Sequence, residues 1–419
     1  MKKKIIIILV LLTFKAEAQS SVLKIADSIF QTGDYQLALQ QLENSKEQSI
    51  IVFERMANIY QKVGNYNKAI QFFEKASQLK PSDRNKEQLG RSYQSSGNVD
   101  KAIAIYNEVL KSSTNNTLLQ FQLAKLYLSE GKIKKAIDLF EKLSKKDSLN
   151  PNYPYQLGVA YKKLGHSGVF DSGNSFLKAY TIDSLHLKSI YNLVKFYREL
   201  NFKDSTQFFI DRGLKINPKS KSFNQLKVKD AFLNTAYDTA LVYLKKLEKL
   251  NVKTMFTYKM YGLTYLNMKN YKKAEEYFKI AQKKDFGDAS VAYNLGLVYK
   301  HLGDFKKAEY YLKKSIYHQK PKVDKNYYQL GMVQLKQKDL KKALHSFNEG
   351  YKNNRRNYIL LFQMALIEDE YYKAKKIALA HYEKYIEDFP DKDKQSTLYA
   401  KKRIKEIKKE LFIKGEKID

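Results

Sequence analysis

The residues best suited to metal binding or proton transfer are six histidines, His166, His186, His301, His318, His345 and His381. No two stand three or four positions apart, the spacing that would put two ligands on one helical face. No cysteine is present, so thiolate nucleophiles and disulfides are excluded. Phosphate-cradling glycine loops and nucleophile elbows are missing as well. One acidic run, Glu368, Asp369 and Glu370, holds three carboxylates in a row. Nothing in the spacing implies a catalytic acid or base to pair with it, and it is read as a solvated helix face. Neither an enzymatic activity nor a metal or cofactor is expected.

A different chemistry recurs along the sequence. Amides stand at Gln88, Gln122, Gln156, Asn192, Asn294, Gln329 and Gln363, and the position before them is aromatic at Phe121, Tyr155, Tyr191, Tyr293, Tyr328 and Phe362. An amide side chain both donates and accepts, which suits pairing with a peptide main chain of any sequence. The rings have two uses: stacking against peptide aromatics or sugars, or packing between neighbouring helices. Lys195, Lys229, Lys300 and Lys336 lie close along the same stretches and would attract carboxylates.

Both columns sit in a repeating two-helix element, best seen in the stretch 289–322. Tyr293, Leu295, Gly296 and Tyr299 share one helical face, Gly303 and Asp304 make a turn, and Phe305, Ala308, Leu312 and Ile316 form the face of a second helix. A small residue after each turn recurs at Ala38, Ala69, Ala102, Ala136, Ser172, Thr206, Ala240, Ala274, Ala308, Ala343 and Ala378, with a period of 34. Twelve residues earlier the chain is mostly small, as at Ala57, Gly90, Ala124, Gly262, Gly296 and Gly331. Four residues later it is bulky, as at Phe73, Tyr106, Phe140, Phe176, Phe278, Leu312 and Phe347. Small against large is a packing rule for antiparallel helices. Gly33, Gly64, Gly97, Gly131, Gly165 and Gly303, with Asn201 once, occupy the turn, where a left-handed backbone is expected.

These residues resemble the tetratricopeptide repeat family, whose pattern is carried by Leu295, Gly296, Tyr299, Asp304 and Ala308, and again by Tyr60, Ala69, Phe73, Ala76 and Pro81. The resemblance covers residues 19–390 and implies an all-α tetratricopeptide-repeat solenoid, a right-handed superhelix of about eleven antiparallel helix pairs. It also implies that the first helix of each pair lines an inner groove, and that amides there hold the backbone of an extended peptide. Candidate groove residues are therefore Tyr155, Gln156, Tyr191, Asn192, Lys195, Tyr293, Asn294, Lys300, Tyr328, Gln329, Phe362 and Gln363. Three units depart from the pattern: the one from Pro151, with an insertion near Gly165 and Ser172 for alanine, and those at Thr206 and Ala240, with valine at the small position. Residues 391–419, with Leu398, Ile404, Ile407 and Leu411 at helical spacing, are expected to cap the last repeat and end in a basic tail.

Residues 1–18 combine Lys2, Lys3 and Lys4 with an apolar run from Ile5 to Leu12 and small residues at Ala16 and Ala18, the form of a signal peptide. That run is shorter than a membrane span. The protein is thus expected to be exported, to the periplasm or beyond in a Gram-negative envelope, with no transmembrane segment in the mature chain. The formal net charge of +32 comes from 76 basic and 44 acidic residues and favours acidic partners. Only eight of the basic residues are arginine, so nucleic acid is not an expected partner. The expected function is a non-enzymatic scaffold that binds an extended, acidic protein segment; the alternative is a cell-envelope accessory protein that binds an anionic polysaccharide.

Overall fold

The computed structural model describes residues 22–44, 48–319, 322–414 and 416. Residues 1–18, read above as a signal peptide, lie outside the described residues. Among the described residues there are helices and no strands. They divide into two compact units, residues 1–209 and 210–419.

The first unit opens with α1 (22–31) and α2 (Tyr35–Asn44), followed by α3 (Ile50–Lys62) with α4 (Tyr66–Leu79) and α5 (Asp83–Ser95) with α6 (Val99–Ser112). It continues with α7 (Thr117–Ser129) and α8 (Ile133–Lys146), α9 (Asn152–Lys162) and α10 (Val169–Ile182), and α11 (Leu187–Glu199). The boundary between units falls within α12 (Lys203–Ile216). The second unit contains α13 (Lys221–Leu233) and α14 (Tyr237–Lys249), α15 (Met255–Asn267) and α16 (Tyr271–Lys284), and α17 (Ala289–Leu302) and α18 (Phe305–His318). Then come α19 (Asp324–Lys336) and α20 (Leu340–Asn353), α21 (Tyr358–Tyr371) and α22 (Lys376–Asp388), and a longer last helix, α23 (Lys394–Ile413).

Each hairpin is set by its turn. Gly33, Gly64, Gly97, Gly131, Gly165 and Gly303 all have φ between +68° and +87°, as their spacing predicts. The residue after the turn often caps the second helix: Asn65 Oδ1 accepts from the backbone of Lys68, and Asp304 Oδ1 from that of Lys307. Where glycine is missing, Thr235, Lys269 and Lys338 hold the same left-handed backbone at φ near +60°. Closure of the hairpin core outweighs the local cost of a side chain there.

The core of each hairpin is the small-against-large contact. A Cβ added at Gly158 would stand 2.7 Å from a ring carbon of Phe176, and one at Gly262 would stand 2.6 Å from Phe278. Tyr106, Phe140, Phe176, Phe278 and Phe347 are fully buried against these positions. Each such ring removes enough apolar surface from water to contribute about 2 kcal/mol. The insertion after α9 is absorbed as a single 3-10 turn, Gly165–Gly168, and the buried Ser172 donates its hydroxyl to the Gly158 carbonyl at 2.9 Å. Serine at the alanine position thereby ties the two helices together.

The last helix packs Ala400, Ile407 and Leu411 onto Ala378, Tyr382 and Tyr385 of α22. The acidic run differs from its sequence reading. Glu368 is buried and meets His381 Nδ1 at 2.5 Å, while Asp369 is gripped by Arg403 and also contacts Lys375. Two of the three carboxylates thus have structural partners, a hydrogen bond to His381 for Glu368 and an ion pair with Arg403 for Asp369, because the hairpin and the last helix bring in groups that are distant in sequence.

Candidate functional site

In the first unit the amide column sits on the first helix of each hairpin. Gln88 of α5 and Gln122 of α7 line a polar cleft of about 420 Å³ together with Gln61, Arg91, Gln94 and Lys125. Arg91 Nη2 donates to Glu87 Oε1 at 2.7 Å, one turn back on the same helix. Its Nε is shut off from solvent without a hydrogen-bond partner, and so is Gln122 Oε1. Two lining residues, Arg91 and Gln122, thus each keep an unpartnered polar atom, one donor and one acceptor, with Lys125 as a second cation, a set whose chemistry matches a peptide C=O, a peptide N–H and a carboxylate. Arg91 and Lys125 were not among the candidates. Their signal was present in the sequence, since both stand three residues after an amide, as Lys195 does.

Further along the same unit, the Tyr155 ring lies 5.8 Å from Phe176 and 5.1 Å from His186. Burial pushes its hydroxyl above the ordinary tyrosine value, against a hydrogen bond with Asn192. Asn192 Nδ2 also donates to the Lys188 carbonyl at 3.0 Å. Lys195 Nζ stands 4.5 Å over the Tyr191 ring. Asn192 and Lys195 line a second cleft of about 250 Å³ with His166, Phe196 and Glu199. Gln156 is half-buried.

In the second unit, Lys300 Nζ donates to Gln329 Oε1 at 2.9 Å, joining the first helices of consecutive hairpins. Burial, aided by Lys336, pushes the Lys300 ammonium below its ordinary value. Asn294 is 8% exposed and bonds its own helix through the Ser290 carbonyl at 2.7 Å. Tyr293 packs against the core, and burial raises its hydroxyl pKa. Tyr328 lies 6.1 Å from Phe347, and Phe362 lies 5.2 Å from Tyr385 and 6.0 Å from Tyr399. Gln363 is half-buried.

The two columns thus separate. Aromatic rings at Phe121, Tyr155, Tyr328 and Phe362 lean on the bulky residue of their own hairpin, namely Phe140, Phe176, Phe347 and Tyr382. Of the two uses weighed for the rings, packing is the one the geometry displays. Tyr293 and Asn294 are held by their own unit in the same way.

A repeated two-helix unit, with a left-handed turn and a small residue beneath a large one, defines a helical-repeat protein of the kind used as interaction scaffolds. Family models described as tetratricopeptide repeat match residues 51–83, 93–153, 260–323 and 324–357, and the chain belongs to that family. No curated protein sequence matches it. Among solved structures, the fold is similar to a tetratricopeptide repeat protein from Parabacteroides merdae, at 15% identity over 60% of this chain and 98% of that one, with a TM-score of 0.48. It is also similar to the C-terminal part of a repeat-containing protein from Cytophaga hutchinsonii, at 17% identity over 65% and 98%, with a TM-score of 0.42. For yeast Tom70 the values are 13% identity over 95% and 97%, with a TM-score of 0.42. Among the described residues no helix is long and apolar enough to cross a membrane.

Proposed function

We propose that this protein is a non-enzymatic scaffold that holds an extended, acidic protein segment along the first-helix face of its N-terminal unit. The observation that carries this reading is the cleft between α5 and α7. Arg91 Nε and Gln122 Oε1 are there buried and unpartnered, with Lys125 alongside. A buried polar group without a partner costs free energy, and a ligand that satisfies it recovers that cost. A peptide main chain supplies both missing partners in one register, and an acidic side chain answers the two cations. The test is affinity for synthetic extended peptides rich in Glu, compared with their Gln counterparts. Replacing Arg91 and Gln122 with alanine should weaken binding of the acidic peptides at least about tenfold, the equivalent of one lost charged hydrogen bond. Equal binding of acidic and amide peptides would remove the cleft from this role.

Export to the cell envelope completes the proposal. Its support is the lysine cluster, apolar run and small residues of 1–18. Mass spectrometry of the protein recovered from its native cells tests it. A mature chain starting at Gln19 is expected, and an intact Met1 start in the cytoplasm would refute it.

A further inference from the structure

We propose that the outer face of α23 binds an anionic lipid surface, so that the end of the second unit lies on a membrane without entering it. At 3.6 residues per turn, Lys394, Leu398, Lys401, Lys402, Lys405, Lys408, Lys409, Phe412 and Ile413 all fall within an arc of about 140°. Every one of them is exposed, whereas Ala400, Ile407 and Leu411 on the opposite side are buried.

The acids of this helix fall outside that arc. Asp393 caps the helix through the Ser396 amide, and Glu406 and Glu410 both receive Arg403 Nη1 at 3.0 Å. Of the arc's lysines, Lys408 reaches Glu383 of α22 at 2.7 Å and Lys402 comes within 3.8 Å of Glu406. The remainder face solvent as a band of one sign.

Charge alone would mark only a solvated face. The added feature is apolar: Leu398 is 61% exposed, Phe412 81% and Ile413 72%, at the two ends of the lysine band. Water does not favour such side chains, but the boundary between headgroups and acyl chains does. There Phe, Leu and Ile sink below the lysine ammoniums, whose long stems reach up to the phosphates. The face has lysine and no arginine, so it offers point charges to a mobile array of headgroups and lacks the planar fork that selects a fixed carboxylate or phosphate partner.

Sedimentation of the full chain with vesicles tests the proposal, using phosphatidylcholine alone and phosphatidylcholine mixed with phosphatidylglycerol. Binding to the mixed vesicles, weakened by added salt, is expected. Replacing Lys401, Lys402, Lys405 and Lys409 with glutamine should lower it at least about tenfold, and arginine at the same positions should restore it. Phe412→Ser with Ile413→Ser should also lower it, because electrostatics and insertion act together. Melting curves should match wild type for all variants, since these side chains are exposed. Equal binding to neutral vesicles, or mixed-vesicle binding unchanged in both sets of variants, would overturn the proposal. So would a failure to bind vesicles combined with capture of a polyglutamate peptide that depends on the four lysines, which would assign the face to an acidic protein.

Discussion

Arg403 places Nε 2.6 Å and Nη2 3.0 Å from the two carboxylate oxygens of Asp369, which precedes it by 34 residues, and so fastens the last helix to the last hairpin. Both side chains are largely enclosed, so losing one strands the other. Arg403→Ala is expected to cost about 2 kcal/mol, between the values for exposed and buried pairs. Chemical denaturation of the full chain measures it, and a change near zero would show that the apolar contacts of Ala400, Ile407 and Leu411 hold the helix unaided.

The same pair makes stability depend on acid. Burial opposes ionisation of Asp369, but the hydrogen bonds and charges of Arg403 and Lys375 outweigh it, leaving the carboxyl below its ordinary value. Asp324 is lowered likewise, with hydrogen bonds from Asn354 and Asn357 overcoming burial. A depressed carboxylate binds fewer protons folded than unfolded. Its contribution is therefore complete above the unfolded pKa of about 3.9 and disappears as pH falls through the lower folded value. Melting temperature should hold steady near neutrality and fall on acidification below about pH 4. Asp369→Asn should flatten that decline.

Gly262→Ala should be destabilising although alanine is the better helix former. The new Cβ would stand 2.6 Å from the Phe278 ring, which is fully buried and has nowhere to retreat. Overpacking of this kind costs about 1 to 3 kcal/mol. A melting temperature at or above wild type would contradict the close helix approach.

Thr235→Gly should act in the opposite direction. Thr235 is β-branched and sits at φ 59°, where six other repeats have glycine. Relief of the left-handed strain should stabilise the chain by about 1 kcal/mol, less the added freedom of the unfolded chain. Denaturant titration checks the sign.

Binding to an acidic peptide should weaken as salt rises, because Arg91 and Lys125 supply charge at a partly open cleft. Gln122→Ala should lower affinity at every salt concentration and leave that slope unchanged, since an amide contributes no charge. Isothermal titration at two ionic strengths separates the two effects.

Much of the fold was legible in the residues. The 34-residue period, the glycines at Gly64 and Gly303, and small residues such as Gly262 paired with Phe278 are all local, and each lies within one helical hairpin. A repeat specifies itself through short-range spacing, so its turns and core can be read without coordinates. The left-handed Thr235, Lys269 and Lys338 were less legible, because their residue types favour other backbones and only hairpin closure holds them there.

The sequence by itself determined the class of fold, the register of each hairpin and the position of the amide column on the first helices. Tertiary structure decided which members of that column remain available. Gln329 Oε1 accepts from Lys300 of the preceding hairpin, whereas Gln122 Oε1 is left without a partner beside Arg91. It also turned Glu368 and Asp369 from an apparent solvated face into partners of His381 and Arg403. The physical reason is the same in each case: hydrogen-bond satisfaction and ion pairing depend on groups from neighbouring helices, whose distances are set only when the hairpins stack.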